Sequence, residues 1–215
     1  FLVYGDFPST GEASGLRDPA NWWIPSGAIL DRNLDEVHEV DVRAGGEVEE
    51  FVSHSWYDYK GGKDQGLHPW EGETTLDYKG RGGPDTPYKQ LNVEDGYSWL
   101  KSPRWKGKAM EVGPLARVLL LYAKGDDATR ALVDSTLGAL EVDKRALFST
   151  LGRTAARTLE TKLIADKMQD WMDMLTANIL AGNTRTFNEK LWEPSSWPSE
   201  AKGVGIMEAP RGGLA

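Results

Sequence analysis

The stretch Leu147–Ile179, LFSTLGRTAARTLETKLIADKMQDWMDMLTANI, carries the most extended periodic pattern in this chain and decides its predicted fold class. Apolar residues recur at every third or fourth position, as they do on one face of an α-helix. The main stripe consists of Leu147, Leu151, Ala155, Leu159, Leu163, Met168, Trp171, Leu175 and Ile179. A second face carries Phe148, Gly152, Ala156 and Ile164. Because a helix that is apolar on two faces is typical of a bundle interior, we predict one long helix in a helical bundle, ending at Gly182-Asn183.

Two shorter helices are predicted before this stretch. Pro114 fits the first turn of a helix, where its missing N–H costs nothing, and Gly125 fits the C-terminus of the same helix. Asp126 or Asp127 is placed to cap the next helix. That helix carries Ala131, Leu132, Leu137 and Leu140 at helical spacing. Residues 113–182 are therefore predicted to be mainly helical.

The first half of the chain, residues 1–109, is rich in Gly, Pro, Trp and Tyr and shows little helical periodicity. Partial alternation in Val37–Val42 and Val48–His54 predicts two short strands joined by a turn at 44–46. Residues 31–50 contain eight acidic residues and two arginines. We interpret this acidic segment as a solvated surface hairpin.

The predicted fold class is mainly α, of the α+β type, with a long-helix bundle and an irregular, short-stranded β region in the N-terminal half. Residues 1–109 form the β-containing region, and residues 110–182 form the helical bundle region. Residues 183–215 form a tether and a short strand, Gly203–Met207, that leads to a terminal arm. We expect all three regions to be parts of one larger domain. Natural termini are usually exposed and polar, whereas both ends of this chain are apolar, so we expect a segment of a longer protein; a single trimmed domain would show the same ends.

The composition argues against several classes of function. A net charge of −8 disfavours a general nucleic-acid binder, which needs a basic surface to meet phosphates. The sequence has no cysteine, so it supplies no thiolate metal ligand and no cysteine nucleophile. Its longest apolar run, Val118–Ala123, is far shorter than the roughly 20 residues that cross a bilayer. The four cations in Lys101–Lys108 are expected to pair with carboxylates.

The terminal arm, Ala209-Pro210-Arg211-Gly212-Gly213, places one arginine between rigid and permissive backbone. Proline fixes its own φ and favours an extended residue before it, whereas the two glycines allow close approach to another object. Such an arm would hold a guanidinium over a ligand. On the local sequence alone, an ordinary turn that carries a solvated arginine is the favoured interpretation.

Six blocks of the sequence closely resemble the large subunit of nickel–iron hydrogenases, in that family's order. They are VSHSWY at Val52–Tyr57, GLHPW at Gly66–Trp70, YSWLKSPRW at Tyr97–Trp105, AMEVGPLA at Ala109–Ala116, STLGR at Ser149–Arg153 and GVGIMEAPRG at Gly203–Gly212. The residues in these blocks are most similar to the membrane-associated uptake branch of the family. The family's metal ligands are two CxxC pairs near the ends of the subunit, and this chain has neither, so the resemblance implies a central segment only.

The resemblance implies a catalytic subunit for the reversible oxidation of H₂ to protons and electrons. It implies a nickel–iron centre with cyanide and carbon monoxide ligands, and a magnesium ion in the full subunit. The implied partners are an iron–sulfur small subunit and the remaining portions of the large subunit, with membrane contact only through partners and no nucleic acid. The implied location is the periplasmic face of a bacterial cytoplasmic membrane.

The resemblance also suggests roles for single residues. Arg211 would be the catalytic residue above the open coordination site, while Ala209, Pro210 and Leu214 would line the same pocket. No residue of this chain would ligate the metals directly. Lys101 and Glu73 would lie near the magnesium ion, outside its direct ligands, although surface ion pairing explains both equally well.

Two other functions are compatible with part of the sequence. A non-catalytic relative of the hydrogenase subunit, as in respiratory complex I, would lack cysteine ligands, but the intact Glu208–Arg211 arm and the Met110–Pro114 block argue against it. An aromatic-rich carbohydrate-binding module would fit the nine tryptophans. The predicted long helix argues against that alternative, because such modules are normally β-sandwiches.

Overall fold

The computed structural model describes residues 1–8, 21–77, 92–186 and 192–215. They contain three α-helices and a series of short antiparallel strands, which confirms the α+β fold class. The helices are α1, Pro114–Lys124; α2, Asp127–Ala139; and α3, Thr150–Leu180. No helix in these ranges is long and apolar enough to cross a membrane.

The strands are short. They are β1 Leu2–Val3, β2 Asp6–Pro8, β3 Trp22–Ile24, β4 Gly27–Ala28, β5 Val48–Phe51, β6 Tyr57–Tyr59, β7 Gly66–Leu67, β8 Thr74–Leu76, β9 Ser102–Trp105, β10 Lys108–Ala109, β11 Met207–Ala209 and β12 Gly212–Leu214. One sheet has four strands in the order β10-β9-β5-β7, and the pairs β1-β4, β2-β3, β6-β8 and β11-β12 form two-stranded sheets.

The chain divides into two compact units. The first contains residues 1–126 together with 204–215, and the second contains residues 127–203. Helix α1 therefore groups with the β-rich region. The region boundaries after residues 109 and 182 were predicted from changes in composition, and they remain a prediction. Residues 187–191 of the predicted tether lie outside the described residues.

The first unit contains an apolar cluster to which strands and loops both contribute. Its buried members are Leu2, Tyr4, Ala28, Val40, Val42, Val48 and Trp105. Strand β5 pairs with β9, so that Val48 lies opposite Trp105 and Phe51 opposite Ser102. The predicted hairpin of 37–42 with 48–54 is wrong, because β5 takes its hydrogen bonds from β7 and β9 instead. The 37–42 segment pairs through the bridge of His38 to Ala28, and Val40 and Val42 are buried rather than part of a solvated surface.

Helix α1 has the bounds that the sequence predicted. Pro114 occupies its first turn, and Gly125 follows its last residue with φ of 91°, a left-handed conformation that glycine adopts without steric cost. Eight consecutive residues, Pro114 to Leu121, are buried, including Arg117. The helix thus lies inside its unit, with a charged side chain in its apolar run.

Helix α3 in the second unit is long, as predicted, but begins later than expected. Leu147 and Phe148 belong to a 3₁₀ helix, Lys144–Phe148, and α3 starts at Thr150 with the Ser149 hydroxyl accepting from the Gly152 N–H. Its buried residues are Gly152, Ala156, Leu159 and Leu163. Within this chain the predicted main stripe is buried at Leu159 and Leu163 but exposed at Leu151, Met168, Leu175 and Ile179. At the start of α3, the side bearing Gly152 packs closely on the Leu147 backbone instead.

Candidate functional site

The terminal arm is a β-hairpin whose two-residue turn is Pro210-Arg211. Ala209 pairs with Gly212 across β11 and β12, so Arg211 lies at the tip. The predicted strand at Gly203–Met207 is wrong in its bounds. The backbone becomes a strand only from Met207, where β12 supplies its hydrogen-bonding partner.

Glycines allow this turn to lie against the rest of the first unit. Gly212 has φ of 149°, and a Cβ there would overlap the Val112 side chain. A Cβ on Gly113, whose φ is 108°, would lie 2.7 Å from the Arg211 carbonyl oxygen. The close approach of two backbones therefore fixes where the tip of the hairpin lies.

A buried ion pair joins the hairpin to α1. The Nη1 atom of Arg117 donates to Glu208 Oε2 at 2.7 Å and to the Ala209 carbonyl oxygen at 2.8 Å. Its Nη2 atom donates to the Pro210 carbonyl oxygen at 3.2 Å. Both side chains are almost fully buried. Burial raises the pKa of the Glu208 carboxyl, and the Arg117 guanidinium and two backbone amides oppose that shift.

A second polar cluster surrounds Glu50. Its Oε1 accepts from the Tyr4 hydroxyl at 3.0 Å, its Oε2 accepts from Lys101 Nζ at 3.0 Å, and its carbonyl oxygen accepts from the Tyr59 hydroxyl at 3.0 Å. Burial and the Glu50 carboxylate raise the pKa of Tyr59 to about 12, and the same causes raise the pKa of Tyr4. The prediction that the 101–108 cations pair with carboxylates is confirmed for Lys101 and for Lys106, which pairs with Glu47.

The Glu50 cluster and the hairpin that Arg117 contacts border one cavity of about 350 Å³. Its walls include Tyr4, Glu50, Lys101, Val112 and the whole segment from Ala209 to Ala215. Arg211 is exposed at the tip, and Leu214 and Val112 supply apolar surface. The cavity therefore combines a cation, a paired carboxylate and apolar walls.

The structure brings most of the predicted site residues together. Arg211, Ala209, Pro210, Leu214 and Lys101 all line the cavity. The side chain of Lys101 pairs with Glu50, a residue that the sequence analysis did not select.

Glu73 differs from that group, since it is exposed and is not among the residues that line the cavity. The sequence did not identify the residues that support the site, which are Glu50, Arg117 and Glu208. The sequence signal for Arg117 is its position as the only charged residue in the apolar run 114–121.

The described residues contain no group of three or more His, Asp or Glu side chains that could hold a metal ion. His68 is buried, with Nε2 3.0 Å from the Val42 carbonyl oxygen, and its Nδ1 accepts from the Trp70 N–H. Its role is thus structural. The site in this chain is a wall that carries a guanidinium rather than a set of metal ligands.

Comparison with known proteins decides the family. The full length, residues 1–215, matches the nickel-dependent hydrogenase family. The chain belongs to this family. The chain is 48% identical over 217 residues to the uptake hydrogenase large subunit of Bradyrhizobium diazoefficiens and 45% identical over 218 residues to that of Rhodobacter capsulatus.

Those matches cover 100% and 99% of this chain but 36% of each relative, so the chain spans about a third of their length. The Ni-Fe-Se hydrogenase from D. vulgaris Hildenborough in the reduced state has a similar fold, with a TM-score of 0.57 and 24% identity. That comparison covers 99% of this chain and 37% of the solved chain. The structural likeness concerns the fold alone, and the family membership rests on the sequence match.

Proposed function

We propose that the chain is the central part of the catalytic large subunit of an uptake nickel–iron hydrogenase, and that Arg211 acts on H₂ at the metal centre. The observation that carries this proposal is the hairpin that presents Arg211 to a cavity, in a chain that matches the hydrogenase family along its whole length. The reaction is the reversible oxidation of H₂ to protons and electrons. The electrons pass to an iron–sulfur small subunit.

The cavity residues fit a nickel–iron centre as its surroundings and not as its ligands. The exposed Arg211 guanidinium and the apolar Leu214 and Val112 offer hydrogen-bond donors beside an apolar wall. Cyanide nitrogens would accept such hydrogen bonds, and carbon monoxide and H₂ suit the apolar surface. The absence of cysteine from this chain means that thiolate ligands come from other portions of the subunit.

When bound, the centre supplies the redox-active metals at which H₂ is cleaved. Arg211 contributes a fixed positive charge and directed N–H donors, because a guanidinium stays protonated at any working pH. Electrostatic stabilisation of developing charge is the role that this chemistry favours, since removing a proton from arginine first would be costly. Ala209 and Pro210 line the cavity beside Arg211, and Leu214 adds apolar surface to its wall.

The assignment of Lys101 and Glu73 to a magnesium site is part of this proposal. Lys101 is supported by its place on the cavity wall beside the Glu50 carboxylate. Glu73 has no such support, as it is exposed on the 71–73 turn. If the proposal holds, a Lys101→Gln variant of the complete enzyme should contain less magnesium than the wild type. The magnesium content of a Glu73→Gln variant tests the second residue in the same way.

We also propose that the complete enzyme works at the periplasmic face of a bacterial cytoplasmic membrane and contacts it only through partners. The support is the similarity to uptake hydrogenase large subunits of bacteria. Cell fractionation tests this directly. Large subunit that stays in the cytoplasmic fraction of cells with active enzyme would contradict it.

Replacing Arg211 with lysine in the complete enzyme tests the central proposal. Lysine keeps the charge but loses the planar fork, so turnover of H₂ should fall by about two to three orders of magnitude, the scale of losing one preorganised catalytic group. Nickel and iron contents should stay at wild-type levels. Arg145→Lys is the matched control, because Arg145 forms an exposed ion pair with Asp143.

Two results would count against the role of Arg211. Near-normal H₂ oxidation in the Arg211→Lys enzyme would reduce Arg211 to an ordinary turn residue. Loss of nickel and iron together with activity would instead make its role the retention of the centre.

A further inference from the structure

Arg117 is the charged residue that α1 buries within its apolar run. Its side chain is 4% exposed, and that of its partner Glu208 is 3% exposed. Removing two charges from water costs several kcal/mol per ion, and apolar replacements of similar volume are often as stable. Stability alone therefore gives little reason for an ion pair here, whereas its geometry has a clear consequence.

The guanidinium contacts three consecutive residues that precede Arg211. It donates to the Glu208 carboxylate, to the Ala209 carbonyl oxygen and to the Pro210 carbonyl oxygen, at distances from 2.7 to 3.2 Å. Arginine offers five donors in a rigid planar fork, so these bonds define both the position and the orientation of the turn. A lysine ammonium would not reproduce this pattern.

Glu208 extends the same arrangement to the start of the chain. Its Oε1 accepts from the Tyr4 N–H at 2.6 Å and from the Gly5 N–H at 3.4 Å, while its own N–H donates to Asp6 Oδ2 at 3.0 Å. Strand β11 is thereby tied on one side to α1 and on the other to residues 4–6. The turn cannot shift without breaking several buried hydrogen bonds.

We propose that Arg117, acting through Glu208 and the Ala209 and Pro210 carbonyls, is a positioning residue that sets where Arg211 lies over the cavity. This inference rests on the proposed function of Arg211 for its catalytic consequence. Arg117 touches no substrate in this arrangement, and its effect on turnover is transmitted entirely by the hairpin.

A double-mutant cycle in the complete enzyme separates positioning from general stability. Arg117→Lys alone should lower kcat about tenfold to a hundredfold, the scale of displacing a catalytic group by about 1 Å, with little change in the KM for H₂. In an enzyme that already carries Arg211→Lys, the same change should lower kcat by less than about twofold, because the group being positioned is gone. Arg145→Lys again serves as the control.

Hydrogen exchange supplies a readout that does not depend on turnover. In Arg117→Lys, the backbone amides of Ala209 and of residues 211–213 should exchange at least about tenfold faster, while those of α2 should keep their wild-type rates. If Arg117→Lys prevents assembly of the enzyme, Glu208→Gln keeps the shape and an acceptor for the Tyr4 N–H, removes the charge partner, and carries the same expectations.

Each outcome bears on one of the two proposals. The positioning role would be overturned if Arg117→Lys lowered kcat by the same factor with and without Arg211→Lys. It would also be overturned if Arg117→Lys left amide exchange in the 209–213 segment unchanged. Near-normal turnover of Arg211→Lys would overturn the proposed function and the catalytic part of this inference, and faster exchange in Arg117→Lys would then still show that Arg117 fixes the turn.

Discussion

Helices α1 and α3 differ in how much of their apolar surface finds partners within this chain. Helix α1 has 11 residues and buries eight of them, whereas α3 has 31 residues and buries four. Met168 and Met172 on α3 are 60% and 57% exposed. Both helices are apolar in sequence, so apolar periodicity identifies a helix but does not tell which molecule covers it.

The difference corresponds to how the two helices are used. Helix α1 carries Arg117 and forms the support of the Arg211 hairpin, so its surroundings are complete within the first unit. The second half of α3 presents large apolar side chains that stay exposed in the part of the unit that the structure describes. We expect the remaining portions of the subunit to cover them, as the prediction of a bundle interior requires.

The largest expected effect concerns the chain by itself. Produced as residues 1–215 alone, it should be poorly soluble or molten and show no sharp thermal transition, because α3 exposes a row of large apolar side chains. Circular dichroism against temperature, with dye binding to exposed apolar surface, measures this. In the complete enzyme, Met168 and Met172 should be protected from oxidation by peroxide.

A sharp, cooperative thermal transition of the isolated monomer would contradict the inference that α3, unlike α1, needs partners outside this chain. Rapid oxidation of Met168 in the complete enzyme would do the same, since it would place this face of α3 in solvent. Met110, which packs against the core of the first unit, is the internal reference for slow oxidation.

The next largest effect tests the buried helix. Leu119 on α1 has no exposed surface, so Leu119→Ala in the complete enzyme should cost about 2–5 kcal/mol through lost apolar burial and the cavity left behind. The thermal midpoint of inactivation should fall accordingly. Lys124→Ala, at the exposed end of the same helix, should change stability by less than about 0.5 kcal/mol. Equal effects of the two variants would contradict the burial of α1.

A smaller effect is expected from the buried tyrosines near Glu50. The pKa of Tyr59 is about 12 in the folded protein and about 10 in an unfolded chain, so folding binds its proton more tightly. The resulting stability is fully present below pH 10 and is lost as pH rises towards 12. Tyr59→Phe lacks this contribution, so the gap in thermal midpoint between wild type and variant should narrow from pH 9 to pH 11. A constant gap would show that Tyr59 is not linked to alkaline stability.

Local signals in the sequence predicted that the three helices exist and predicted the bounds of α1. Pro114 and Gly125 act on the residues next to them, so the bounds of α1 follow from the sequence directly. The start of α3 was missed, although Ser149 is a good capping residue, because the apolar pattern continues unbroken into Leu147 and Phe148. Periodicity does not distinguish a 3₁₀ turn from the first turn of an α-helix.

Contacts between distant residues explain what the sequence did not show. Glu50 pairs with Lys101 across 51 positions, and Arg117 pairs with Glu208 across 91. The acidic composition of residues 31–50 suggested solvent, yet β5 buries Glu50 because β9 supplies a strand partner and Lys101, the residue directly before β9, supplies a cation. For the arm, the rigid Pro210 and the permissive Gly212 identified Arg211, while the residues that hold the arm in place became visible only in the fold.

The smallest expected effect concerns how each helix begins. The residue before α1 is Gly113, which makes no side-chain capping bond, whereas Ser149 Oγ accepts from the Gly152 N–H at 3.0 Å at the start of α3. Ser149→Ala should therefore cost about 1 kcal/mol, the usual loss for a helix cap, and speed amide exchange in residues 150–153. The matched control is Thr154→Ala, one turn later on the exposed side of α3, which should leave exchange at 150–153 unchanged. Because α1 is fixed by burial over its first eight residues, it needs no such cap, and a Gly113→Ser change should fail to stabilise it: a Cβ at Gly113 would press on the Arg211 carbonyl. If Ser149→Ala had no effect on exchange, the start of α3 would have to be held by its packing on the 3₁₀ helix alone, and the contrast between a capped and a buried helix start would be lost.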